Sequence, residues 1–227
     1  MKAPIFAAVF VGVAFTWVAS STPPATARTS ATIGKFHRVA ESLTVKSKRA
    51  TFLFMSALFC PYCAAERWAI VEALRRFGSW NGLRPATSTG GIDGFVALPT
   101  YDFFHASYKS PFLRFTHTDV ADAAGRPLQH LSVAETHAVN RYDPGGGIPF
   151  LLIDGAFVQL DSGYSPGLLS GKTFAQVQDA IRHRTALGRT IVHEANVLSA
   201  LICVGDGEQP AKVCATPAVR RLTASVR

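Results

Sequence analysis

The chain has 227 residues, 48% of them hydrophobic and 17% charged, enough for one well-buried globular domain and without a composition break that marks a second. Its formal charge of +8 is spread over separate short groups such as Lys46, Lys48 and Arg49, Arg75 and Arg76, Arg182 and Arg184, and Arg220 and Arg221. No aromatic-basic repeat or nucleic-acid motif accompanies them, which argues against a nucleic-acid partner. A solvated basic surface is the plain reading, with weak attraction to an anionic membrane as the alternative.

Lys2 precedes Ile5 to Ala19, fifteen residues without a charge, and then comes "SSTPPATARTSA". This is the order of a secretory signal, with Ala25-Thr26-Ala27 as an A-x-A cleavage site. Fifteen residues fall short of the roughly 20 that span a bilayer as a helix, so cleavage is expected, with an uncleaved anchor as the alternative. Residues 1–27 thus read as signal and 28–45 as a linker, and the folded part is expected outside the cytoplasm, secreted or in the cell envelope. Removal of Lys2 lowers the formal charge by one, from +8 to +7.

The folded domain reads from 46 to 216. "TFLFMSALF" from Thr51 is an unbroken apolar run bounded by Cys-Pro, which predicts a buried central strand. Ala64 to Phe77 then predicts an amphipathic helix stopped by Gly78. Trp68, Ile70, Val71, Leu74 and Phe77 lie on its inner face, with Glu66, Arg67, Glu72, Arg75 and Arg76 between them. Pro61 stands where a first turn tolerates a missing N–H. Residues 83–142 read as an insertion, β-rich and aromatic. "PTYDFF" and "FLRFTHT" are short strands, and Pro127 to Tyr142 is a helix with Leu128, Leu131, Val133, Ala134 and Val139 inward. "DPGGGIPFLLIDGAFVQL" gives a Gly-rich turn, a strand from Phe150 to Ile153, an Asp154-Gly155 hairpin turn and a return strand from Phe157 to Leu160. Thr173 caps a helix through Arg182, Ile191 to Cys203 is a final helix, and 217–227 is a frayed tail.

There are four cysteines, Cys60, Cys63, Cys203 and Cys214. In an oxidising compartment an even count suggests two pairs. Cys60-Pro61-Tyr62-Cys63 sits between the strand and the helix, and far along the chain Ile148-Pro149 opens a strand followed directly by a hairpin. That order describes a thioredoxin-like α/β fold, a central mixed sheet flanked by helices. Unpaired N–H groups at the helix start favour a thiolate on Cys60, and Cys63, one turn further in, can close a disulfide with it. Cys60 is therefore the expected nucleophile and Cys63 the resolving thiol, the pair itself being the redox centre with no other cofactor. Zinc would need a second pair with ligand spacing, and Cys203 and Cys214 are too far apart in sequence to supply one. A purely structural Cys60–Cys63 bridge closes too small a loop to stabilise much.

The segments "FCPYCAAERWAIVEALRRFG", "YKSPFLRF", "GIPFLLIDGAF" and "ICVGDGEQPAKVC" together resemble the thioredoxin-like domain-of-unknown-function 929 family of archaea and actinobacteria, from about Lys46 to Cys214. The resemblance implies the fold and the cysteine positions, not a substrate. The Pro-Tyr dipeptide is also similar to that of glutaredoxins, but export argues against glutathione as the natural partner. No segment matches the helical insertion of Dsb-type oxidases.

Around the cysteines, Tyr62, Ile148 and Pro149 are the expected substrate-facing residues. Glu66 is a candidate general base for the resolving thiol. Its plainer reading is a solvent-facing carboxylate paired with a neighbouring arginine. His105, His117, His130 and His137 receive no role. The aromatic insertion is positioned to roof the site. Cys203 and Cys214 bracket a turn-rich loop and read as a structural disulfide, with a second redox pair relaying electrons as the alternative. The expected function is thiol–disulfide exchange on cysteine-containing exported proteins, with a membrane redox partner and the direction of electron flow open. A thioredoxin-fold binding or chaperone-like module without turnover is the alternative.

Overall fold

The computed structural model describes residues 32–39 and 49–226, so the expected signal at 1–27 lies outside the described residues. In chain order the elements are β1 (Thr32–Ile33), β2 (Phe36–Arg38), β3 (Ala50–Ser56), α1 (Pro61–Leu74), β4 (Ser79–Asn81), β5 (Arg84–Ile92), β6 (Phe95–Asp102), β7 (Ser107–Lys109) and β8 (Leu113–Asp119). Then follow α2 (Val133–Tyr142), β9 (Phe150–Ile153), β10 (Phe157–Gln159), a 3-10 turn (Pro166–Leu169), α3 (Phe174–Arg182), α4 (Ala186–Gly205), α5 (Ala211–Cys214) and α6 (Pro217–Ser225). The chain is α/β, with a mixed sheet flanked by helices.

The main sheet has the order β1-β2-β10-β9-β3-β8. β3 and β8 run parallel in unbroken register from Ala50 opposite Leu113 to Ser56 opposite Asp119, and every other pair in the sheet is antiparallel. The apolar run that begins β3 follows from burial on both faces. Phe52 and Phe54 point with Leu151, Ile153 and Phe157 into the larger core under α1 and α4. Leu53 and Met55 point with Phe150, Leu152 and Val158 into a smaller core that includes Val139 of α2. The turn between β9 and β10 is the expected Asp154-Gly155 pair, both residues at positive φ (51° and 63°).

Several elements differ from expectation. β3 ends at Ser56, because Ala57 to Phe59 turn away into the cysteine loop. α1 starts at Pro61 rather than Ala64 and is not amphipathic in practice. Glu66 and Arg67, expected outside, are both fully buried, because β6, the 3-10 turn and α4 cover the helix away from the sheet. α2 begins six residues later than expected, at Val133, behind a capping box in which Ser132 and Glu135 satisfy each other's backbone N–H groups. Val133 itself is 89% exposed rather than inward. The supposed linker contributes β1 and β2 to the sheet edge, and the supposed insertion contributes β8 to the sheet. "YKSPFLRF" supplies β7, which pairs with β4, and the start of β8.

α3 has its predicted Thr173 cap, reinforced by Gln176. α4 is longer than predicted and is not final. The segment after Pro217 forms α6, which buries Val219 and Thr223, with Val226 buried behind them. By length and composition α4 would suit a membrane span, but 61% of that stretch is buried inside the fold. A core helix passes the same test.

Candidate active site

β3 delivers the chain to the sheet edge, and Leu58 N–H donates to Ala121 O at 2.9 Å, tying the cysteine loop to the end of β8. Cys60 is the N-cap of α1. Its φ and ψ of −74° and 120° are extended, and its Sγ accepts from Cys63 N–H at 3.1 Å. A thiol thus takes the place of the oxygen of an ordinary cap, where helix N–H groups lack partners. Pro61 at the first helical position forfeits no hydrogen bond.

Opposite this cap lies the Ile148–Pro149 peptide, which is cis. Cys60 Sγ is 3.7 Å from Ile148 O, to which its thiol donates. Ala57, Cys60, Cys63 and Ala121 form a small cluster of their own, edged by Phe59, Tyr62, Val120 and Ile148. The expected residues Cys60, Cys63, Tyr62, Ile148 and Pro149 therefore converge. A second cis peptide, Gln209–Pro210, lies in the C-terminal loop and has no counterpart in the sequence reading.

The two thiols are unequal. Cys60 is held below the ordinary thiol value by its hydrogen bond with Cys63, against the opposing effect of burial, and the Cys63 N–H and the Arg67 charge add to the lowering. Cys63 is pushed well above that value by complete burial first, and then by hydrogen bonding to and repulsion from Cys60. Sequence-based division of roles gives the same order of acidity. Both thiols are buried, Cys60 at 2% accessible and Cys63 at 0%.

The residues on either side of Cys60 are held by the hairpin of β5 and β6. Ser88 Oγ donates to Phe59 O at 2.7 Å and Gly90 N–H to the same carbonyl at 3.0 Å, while Thr89 Oγ1 donates to Ala123 O. Along α1, Trp68 Nε1 donates to Pro99 O at 2.9 Å and Thr100 Oγ1 to Ala64 O at 3.0 Å. At the tip, Tyr62 donates its hydroxyl to Asp93 Oδ2 at 2.8 Å and meets the Phe95 ring edge-on. Gly90, at φ 62°, has no room for a side chain, since a Cβ there would lie 2.1 Å from Phe95 O. This hairpin is the part of the expected aromatic insertion that reaches the cysteine loop. Its signal is Asp93-Gly94 between Ile92 and Phe95, a second two-residue turn at positive φ that the sequence reading passed over.

Glu66 is not where the plainer reading had it. It is fully buried, among the described residues no arginine pairs with it, and its Oε2 accepts from Gly163 N–H at 2.8 Å. Burial, and then the neighbouring Glu194, push its carboxyl well above the ordinary range. No hydrogen bond joins Glu66 to either cysteine, so the general-base expectation gains no contact. Glu194 fills the space above Gly163, where a Cβ would lie 2.0 Å from its Cδ. The pair forms a buried carboxyl contact between α1 and α4. Among the described residues no three His, Cys, Asp or Glu side chains gather into a set that could hold a metal ion.

Cys203 and Cys214 are disulfide-bonded, with Cα atoms 5.7 Å apart, and join α4 to α5.

Residues 35–144 match the family described as "Domain of unknown function (DUF929)". The match takes in just under half of the chain and supports the DUF929 family for it. No curated protein and no solved structure matches. The DUF929 segment spans the cysteine motif, the β5–β6 hairpin and β8, and stops before Ile148–Pro149 and the C-terminal cysteines. Those lie in the remainder of the resemblance seen in the sequence.

Proposed function

We propose that the protein is an exported thiol–disulfide oxidoreductase built on a thioredoxin-type core, acting through Cys60 and Cys63 on cysteines of other exported proteins. The fold part of this reading is supported by strand order. β10-β9-β3-β8, with β3 and β8 parallel, the others antiparallel, and α1 directly after β3, is the arrangement that such a core requires. The observation that carries the chemistry is the Cys60 Sγ cap on α1, bonded to Cys63 N–H on one side and facing Ile148 O on the other. A thiolate is stabilised at that position, and the thiolate is the species that exchanges.

In exchange with a substrate disulfide, Cys60 thiolate attacks one sulfur, the substrate S–S bond breaks, and the other substrate sulfur leaves as thiolate. Cys63, deprotonated, then attacks Cys60 Sγ, the Cys60–Cys63 bond forms, and the second substrate thiolate departs. Two electrons pass from the pair to the substrate, and the reverse sequence returns them. Export places such exchange where substrates are secreted or envelope proteins, and a membrane redox partner would reset the pair. The test is insulin reduction and reduced-protein refolding with the purified chain, beside Cys60→Ala. Turnover that vanishes with Cys60→Ala supports the reading, and a wild-type protein inert in both assays sinks it.

A further inference from the structure

Behind the dithiol lies a charged group that plays no part in the exchange steps. Arg67 is four residues after Cys63 and seven after Cys60, so all three share one face of α1. Side chains on a helix lean toward its N-terminus, which sends the Arg67 guanidinium back toward the cysteines. It is fully buried, and its fork is fixed. Nη1 donates to Tyr101 O at 3.1 Å, and Nη2 to Ser56 Oγ at 3.1 Å and to Asp119 Oδ1 at 2.5 Å. Ser56 also donates to Asp119 Oδ1, so the assembly closes at the ends of β3 and β8, under the loop that carries Cys60. Nε–H of Arg67 is buried and without a partner among the described residues. The other charged or titratable groups around it are Asp119 and His117 on β8 and Asp102 on β6. At the mouth of the site, Asp93 acts through Tyr62.

Resting on the exchange reading, we propose that Arg67 is a positioning cation that favours the reduced dithiol, so that the Cys60–Cys63 disulfide accepts electrons and the protein oxidises substrate thiols. A buried positive charge stabilises a thiolate and does nothing for a neutral disulfide. A pair whose reduced form is stabilised is a strong oxidant. The field acts in a low-dielectric interior, where screening by water is weak. Arg67 also contributes to the low value of Cys60.

The balanced step follows. A substrate thiolate attacks Cys60 Sγ of the disulfide, the S–S bond breaks, and Cys63 leaves as thiolate and takes a proton. A second substrate thiolate attacks the substrate sulfur of the mixed disulfide. The substrate disulfide forms and Cys60 leaves as a thiolate within the Arg67 field. Two electrons move from the substrate dithiol to the pair, and an external disulfide restores it.

The experiment uses the full chain with oxidised and reduced glutathione as the redox buffer. It reads the equilibrium between Cys60–Cys63 and glutathione, and the thiolate absorbance of Cys60 against pH. Asp119→Asn removes the counter-charge and keeps the acceptor oxygen. It should lower the Cys60 midpoint and shift the equilibrium further toward the dithiol. Arg67→Met with Asp119→Asn should do the reverse relative to wild type, by about tenfold in the equilibrium constant, which is about 30 mV for this two-electron couple.

If Asp119→Asn, checked as folded, leaves both readouts at wild type, the Arg67 assignment is overturned. A wild-type disulfide that reduced glutathione fails to open overturns the direction. If the pair never closes to a disulfide, the exchange reading falls and this one with it. Because none of these readouts is turnover, a loss of activity on protein substrates cannot be mistaken for any of them.

Discussion

Two cysteines three residues apart become chemically different because one caps a helix and the other lies inside it. Cys60 receives an N–H hydrogen bond at the helix start, while Cys63 is sealed in the first turn with no access to water. Alkylation at neutral pH should therefore modify Cys60 first, and Cys63→Ser should trap mixed disulfides through Cys60. Mass spectrometry after a short pulse of iodoacetamide decides it, and equal labelling of both thiols would refute the division of roles. These residues were legible because a strand, a C-x-x-C and a helix are adjacent in sequence, so the local pattern fixed the geometry. Arg67 and Glu66 were not. The helical pattern assigns polar residues to a wet face, and α1 leaves only Tyr62 and Glu72 partly exposed, because β6, the 3-10 turn and α4 bury the rest from the far side. A burial imposed by segments many residues away leaves no trace in a window around residue 67.

Among the elements, the hairpin of β5 and β6 is the one tied to both Phe59 and Tyr62 beside Cys60. It is anchored on Phe59 O by two hydrogen bonds, and its glycine-flanked tip accepts one at Asp93 from the Tyr62 hydroxyl. Loss of that tip bond should loosen Tyr62 and admit larger reagents. In Asp93→Ala, a bulky maleimide should modify Cys60 faster relative to iodoacetamide, by about fivefold if one hydrogen bond of about 1 kcal/mol is lost. The pH midpoint of Cys60 should stay in place, since Asp93 has no direct contact with it. An unchanged ratio of the two rates would mean that the hairpin does not gate the thiol. The sequence marked β6 and β8 through "PTYDFF" and "FLRFTHT", but not β4, β5 or β7 and not the pairing. β6 pairs with β5 and β7 with β4, whereas β8 crosses to the main sheet beside β3. Strand partners are chosen by tertiary packing, and no turn signal marks which strand leaves the insertion. The helix at α4 is a further case. Gly188 lies so close to α3 that a Cβ would sit 1.9 Å from Ala180 O. Gly188→Ala should force the two helices apart and destabilise the fold by about 1–3 kcal/mol, measured by urea unfolding.

For the whole molecule, buried carboxyls and one disulfide set the stability. Burial raises Glu194 to about 7, and Asp154 and Asp206 each to about 6, with Glu66 raised as well. Each folded value exceeds its unfolded one, so the folded chain keeps protons that the unfolded chain releases. Their contribution is fully present below the unfolded values of 4.5 and 3.8, and is lost as pH rises through 6 to 7. Asp102 and Glu135 shift the other way, but their effect lies below the unfolded values of 3.8 and 4.5. His117, lowered by burial from 6.5, contributes stability as pH rises toward 6.5 and partly offsets the trend. The melting temperature should therefore be higher near about pH 5 than near about pH 8, and Glu194→Gln should flatten the difference. A wild-type curve that rises steadily over that range would contradict the buried-carboxyl account. At the C-terminal end the cross-link belongs to the same balance. Cys203 lies in the core on α4, and Cys214 on α5 leads directly into α6, whose Val219 is buried, with Val226 buried just beyond its end. The disulfide closes a loop of about a dozen residues, worth roughly 3 kcal/mol in the chain-entropy account. For a chain of this size that is roughly 6–12 °C in melting temperature. Alanines are the better replacement, because a serine hydroxyl at the fully buried Cys203 would need a partner of its own. Cys203→Ala with Cys214→Ala should melt lower by about that amount, lose protection of α6 amides in hydrogen exchange, and keep its rate of thiol exchange at a temperature where it is folded. If the variant instead melts with the wild type and can no longer be reset by its redox partner, the disulfide is a relay, and α6 is held by its apolar contacts alone.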